Sequence, residues 1–128
     1  MLTKIYAAAL QGIEAQIVTI EVNCTQGIQF FMVGLPDAAV KESHQRIISA
    51  LSHNGLKFPR RKVIVNLAPA DIKKEGPLYD LPIAIGILTA TEQLDPESTK
   101  NGAFLGELSL SGEIKGVRGL TPMLISAR

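Results

Sequence analysis

VIVNLAPADIKKEGPLYDLPIAIGILTA, residues 63–90, is the stretch whose reading decides the fold. It starts as a buried strand with Val63, Val65 and Leu67 on one face, runs through a polar loop over 68–79, and enters an almost uniformly apolar helix near Asp80. A strand that delivers a charged loop to the start of a buried helix is a common way to build a site. Free backbone N–H groups and the positive end of the helix dipole meet the loop there. In this chain the loop brings Asp71, Ile72, Lys73, Lys74, Glu75, Gly76 and Pro77 to that place.

Toward the C-terminus, the helix from Asp80 to about Gln93 carries Leu81, Ile83, Ala84, Ile85, Ile87 and Leu88. It is apolar nearly all round, so it is predicted to be the most buried helix, with Asp80 as its cap and Pro82 tolerated in the first turn. A loop over 95–98 leads to a strand over 103–110, which turns at Ser111 and Gly112 into a strand over 113–117. A short third helix over 120–128 ends without a cap, which predicts that the chain is a fragment of a longer protein.

Toward the N-terminus, residues 4–10 have strand composition, and residues 16–24 alternate Val18, Ile20, Val22 and Cys24 against Thr19, Glu21 and Asn23. A short loop with Gly27 and a third strand over 29–33 predict an antiparallel meander. Asp37 is placed to cap one helix running to about His53, with Val40, Ile47, Ile48 and Leu51 inward and Lys41, Glu42, Gln45 and Arg46 outward. The predicted order is β-β-β-α-β-α-β-β-α, an α/β two-layer domain (α+β) with helices on one face of a mixed sheet.

At 128 residues and 46% apolar content the chain makes a single domain, residues 1–128, and its net charge of +1 excludes neither nucleic acid nor a protein partner. Cys24 is the sole cysteine and reads as a small buried hydrophobe of a reducing compartment. No apolar run reaches the roughly 18 residues of a membrane helix, so a cytoplasmic protein without membrane association is expected.

Four segments carry a resemblance: KIYAAALQGIEAQIVTIEV, FFMVGLPDAAVKESHQRI, KVIVNLAPADIKKEGPLYDLPIAIGIL and FLGELSLSGEIKGVRGLTPML. Together they resemble the N-terminal domain of the magnesium-chelatase-like AAA+ proteins of the ComM competence family. The resemblance implies a fold of the ribosomal-protein-S5-domain-2 type, shared with Lon proteases. It also implies a following AAA+ ATPase module, a hexameric ring, and branch migration of DNA in natural transformation. ATP and magnesium would belong to that module alone, because this chain has no GxxxxGK[ST] stretch to cradle phosphates. The implied partners are the ATPase module, neighbouring subunits, and DNA.

The Lon likeness raises an alternative, a peptidase or other hydrolase using the 68–79 loop. Lon-type proteases place a Ser after a Gly-Pro pair and a Lys after a Gly-Leu pair. Here Gly76-Pro77 is followed by Leu78 and Gly119-Leu120 by Thr121, so both catalytic positions are missing and no enzyme activity is expected of this chain. Ser109, Ser111 and Lys115 read as a turn and a solvent-facing charge. His44 and His53, about 900° apart on a helix, face opposite ways and cannot share a metal. Asp71 and Glu75 read as loop charges beside Lys73 and Lys74, and Tyr79 as a cover for the helix end. That leaves two basic patches at opposite ends of the organising strand, Lys57, Arg60, Arg61 and Lys62 at one and Lys73 and Lys74 at the other. In a ring they are the candidate phosphate contacts; for the isolated domain they read as ordinary solvated charges at the ends of an apolar strand, with no interleaved aromatics for base stacking.

Overall fold

Strand β4 (Lys62–Ala68) begins the organising stretch, and in the computed structural model, which describes residues 2–11 and 14–115, it lies inside a four-stranded sheet. With β1 (Leu2–Gln11), β2 (Glu14–Thr25) and β3 (Phe30–Val33) the order is β1-β2-β4-β3. β1 and β4 flank β2 antiparallel, while β3 runs parallel to β4. The predicted meander is therefore corrected: β3 does not return beside β2, because β4 takes that place. Parallel pairing needs a crossover, and residues 34–61 supply one with helices in it.

Register explains the core. Ile5, Ile20 and Leu67 form one row across three strands, Val22, Val65 and Met32 a second, and Cys24, Val63 and Phe30 a third. All but Met32 and Phe30 are buried, and those two pack against the same cluster. At about 1.5–3 kcal/mol for each buried large aliphatic side chain, these rows supply much of the drive to fold. Burial also pushes the Cys24 thiol up from its ordinary pKa.

Helix α3 (Asp80–Ala90) lies on these rows and buries Ile83, Ala84 and Ile87, as its all-round apolar composition predicts. It comes so close that a Cβ on Gly86 would stand 2.6 Å from the Val22 side chain. The other predicted helix is two: α1 (Ala38–Lys41) and α2 (Ser43–His53), divided at Glu42. Asp37 caps α1 as expected, its carboxylate accepting from Val40 N–H at 2.8 Å. Ile47, Ala50 and Leu51 of α2 are buried with Val40.

The expected strand over 103–110 is mostly a connector. Ala103 makes a single parallel bridge to Tyr6 of β1, where Phe104 N–H donates to the Tyr6 carbonyl at 2.8 Å, and the one strand in this stretch, Glu107–Leu108 (β5), pairs with Ile114–Lys115 (β6). Gly112, at φ 94°, makes the turn, and Asn54 and Ser49 of the α2 region bond the Ser111 and Leu110 carbonyls. The expected third helix over 120–128, and Thr121 with it, lie outside the described residues.

Candidate nucleic-acid interface

Residues 56–61 join α2 to β4 across the C-terminal end of α3. Lys57, Arg60 and Arg61 are exposed, and they line an open cleft of about 750 Å³ whose other wall is Ala90, Thr91, Glu92 and Gln93. None of the three cations belongs to an ion pair among the described residues. Lys62, at the start of β4, reaches over the Phe31 ring at 5.6 Å instead of into the cleft. An aromatic does interrupt the basic run, contrary to expectation: Phe58. Its ring packs inward on His44 at 5.2 Å and Phe30 at 6.1 Å, while His44 stacks on Phe30 at 3.9 Å, so its place is structural. Burial there lowers the His44 pKa.

The second predicted patch is different in kind. Lys74 is wholly buried, and its ammonium donates to the Gly34 carbonyl at 2.7 Å and to the Pro69 carbonyl. Its backbone bonds Leu35 and Asp37, so the loop is fastened to the end of β3 and the start of α1. Burial pushes the Lys74 pKa down, against a smaller upward pull from Asp71. Lys74 is thus removed from the candidate phosphate contacts: its ammonium is held inside by the Gly34 and Pro69 carbonyls. Lys73 remains exposed, 3.4 Å from Glu75, and Asp71 is exposed beside them.

Beyond Gly76, at φ 82°, Pro77–Tyr79 forms a single 3-10 turn. Gly76 N–H reaches Asp37 at 3.3 Å, and the Leu78 carbonyl accepts from Gly106 at 2.9 Å. Tyr79 covers the helix start as expected, donating to the Ala8 carbonyl at 3.3 Å, and burial, with Asp37 and Glu75 nearby, pushes its phenol up to about 12. Asp80 is no cap. It is the first helical residue, fully buried, and its carboxylate accepts from Ser43 Oγ at 2.5 Å, Arg46 Nε at 2.6 Å and Leu108 N–H at 3.0 Å. Arg46, expected to face solvent, is drawn in by this carboxylate, whose hydrogen bonds raise its pKa further. No pattern in either helix announced this pairing, because it joins residues 34 positions apart.

The remaining polar groups are committed to structure. Ser43 donates its hydroxyl to Asp80, and Ser109 accepts from Glu113 N–H within the β5–β6 turn. His53 rests on the Ser49 carbonyl at 3.2 Å. Among the described residues, no three His, Cys, Asp or Glu side chains converge to hold a metal, and no helix is long and apolar enough to cross a membrane.

Comparison with known proteins places this architecture. Residues 20–128 match the family model described as subunit ChlI of Mg-chelatase. The chain is 46% identical over 128 residues to the competence protein ComM of Haemophilus influenzae, covering 99% of this chain and 25% of that protein. It is 43% identical over 119 residues to the YifB protein of Escherichia coli, covering 92% of this chain and 24% of that one. Over 73 residues, 57% of this chain and 15% of the other, it is 42% identical to the DNA repair protein RadA of Treponema pallidum. The chain thus spans about a quarter of the length of its ComM and YifB relatives, and it belongs to the family of Mg-chelatase subunit ChlI, with ComM and YifB as relatives.

Proposed function

We propose that this chain is a non-catalytic accessory domain of a magnesium-chelatase-like AAA+ ATPase that acts on DNA, and that it touches nucleic-acid phosphates through Lys57, Arg60 and Arg61. The observation that carries the reading is the cleft itself: three exposed cations on one loop, without an ion pair among the described residues. Counterion release favours the contact of such cations with phosphates. A competence protein and a DNA repair protein among the relatives support the same direction. The sheet order β1-β2-β4-β3 with one parallel pair supports an S5-domain-2 type of fold. ATP and magnesium belong to the ATPase module, and a ring of subunits would set several such loops around one DNA.

Leu78 after Gly76-Pro77 supports the non-catalytic part, since an aliphatic side chain offers no nucleophile. The test has two arms. Fluorescence anisotropy with labelled single-stranded and branched DNA should show binding that R60E/R61E abolishes; wild-type silence at low salt would overturn the phosphate reading. Incubation with fluorogenic casein should show no turnover, and turnover abolished by a substitution in the 68–79 loop would establish a hydrolase instead.

A further inference from the structure

Lys57 has both of its backbone polar groups bonded to one side chain. Its N–H donates to Gln93 Oε1 at 2.9 Å, and its carbonyl accepts from Gln93 Nε2 at 2.8 Å. A primary amide used this way imitates a neighbouring β-strand, and it fixes the orientation of the Lys57 peptide from both ends. Gln93 is itself held to the core. α3 ends near Glu92, which takes φ 63°, and this turn brings the Gln93 N–H back to the Leu88 carbonyl at 2.8 Å. Gln93 Nε2 also donates to Thr91 Oγ1 at 2.9 Å, and that hydroxyl donates to the Ile87 carbonyl at 2.8 Å. An unbroken path of hydrogen bonds therefore runs from the most buried helix to the first cation of the loop. On the next residue Phe58 is seated against Phe30 and His44, so Lys57 and Phe58 are each fixed by a different anchor.

We infer that Gln93 is a positioning residue for DNA binding: it holds the 57–61 loop in the form that presents Lys57, Arg60 and Arg61 together along the cleft. The inference rests on the phosphate reading of that loop. Long basic side chains lose conformational freedom when they bind, and a loop already ordered by the fold leaves less to lose. Without the clamp, the ordering of the Lys57 segment moves from folding to binding, and DNA affinity falls on the order of tenfold.

The experiment compares the wild-type chain, Q93M, Q93A and the charge variant K57A/R60A/R61A. Q93M keeps the length and apolar stem of the side chain while removing both the donor and the acceptor of the amide, so it remains informative where Q93A fails to fold. Two quantities are read: amide hydrogen exchange at Lys57, and the affinity of a labelled single-stranded oligonucleotide at fixed salt. The inference expects faster exchange at Lys57 and roughly tenfold weaker binding in Q93M, with net charge unchanged. Wild-type affinity in Q93M, while the charge variant has lost binding, would overturn the positioning role and leave the phosphate reading intact. Wild-type affinity in the charge variant would overturn the phosphate reading, and the positioning role with it.

Discussion

Two short segments carrying neighbouring basic residues flank β4, and they use those charges in opposite ways. In 57–62 the chain displays Lys57, Arg60 and Arg61 to solvent, without an ion pair among the described residues. In 71–76 it buries Lys74 on two carbonyls and pairs Lys73 with Glu75. The first segment is held by the Lys57 backbone and the Phe58 ring, which leaves the Lys57, Arg60 and Arg61 side chains exposed. The second is held by the Lys74 backbone and also by its ammonium, so that charge is committed inside the fold. A lysine's use is decided by where the nearest unpaired acceptor lies, and runs of basic residues do not report that.

The buried end of the second segment should be the most sensitive to change. Replacing Asp80 with Ala leaves Arg46 with only the Ala39 carbonyl and Glu42, and the Ser43 hydroxyl and Leu108 N–H without their acceptor. A loss of about 3–5 kcal/mol in stability is expected from urea unfolding, and a loss below about 1 kcal/mol would mean the network is dispensable. Lys74→Ala should cost about 2–4 kcal/mol, since it opens a void at a fully buried side chain and removes the donor to the Gly34 and Pro69 carbonyls. If K74A unfolds at the wild-type urea concentration, the contrast between the two segments collapses.

Tyr79 gives the next effect through pH. Its phenol is 3% exposed and pushed from 10.0 up to about 12, so the folded state holds this proton more tightly than the unfolded chain. Its contribution is therefore complete below pH 10 and is lost as pH rises through about 12. The loss should approach about 2–3 kcal/mol, and Tyr79→Phe should remove that alkaline slope while costing about 1 kcal/mol at neutral pH for its hydrogen bond to Ala8. An identical slope in Y79F would assign the alkaline loss to another group.

Much of this was legible in the chain. The alternation of residues 18–24 and the all-round apolar helix after Asp80 state which faces are buried, and the structure buries them. The pairing of β3 was legible too, since a helix between two strands argues for a parallel crossover, but the short loop at Gly27 suggested a hairpin instead. Lys74 was not legible, because Lys73-Lys74 is locally symmetric and the acceptors of Lys74 come from residues 34 and 69. Asp80 was misread for a related reason: an acidic residue at a helix start satisfies the capping pattern, and its true partners lie in α2 and β5. Gln93 had no signal in its neighbours at all. Its partner is 36 positions away, and a lone Gln after a helix reads as solvent-facing.

Reversing the exposed cations should produce the smallest change in stability, within about 0.5 kcal/mol, because none has an ion-pair partner among the described residues. The most direct test of the contrast is therefore the salt dependence of DNA affinity, read by anisotropy for wild type, K57A/R60A/R61A and K73A. Steep weakening with salt is expected in the wild type, with a slope shallower by about 2–3 in log–log units for the triple variant and little change for K73A. Equal slopes in the wild type and the triple variant would contradict the phosphate reading.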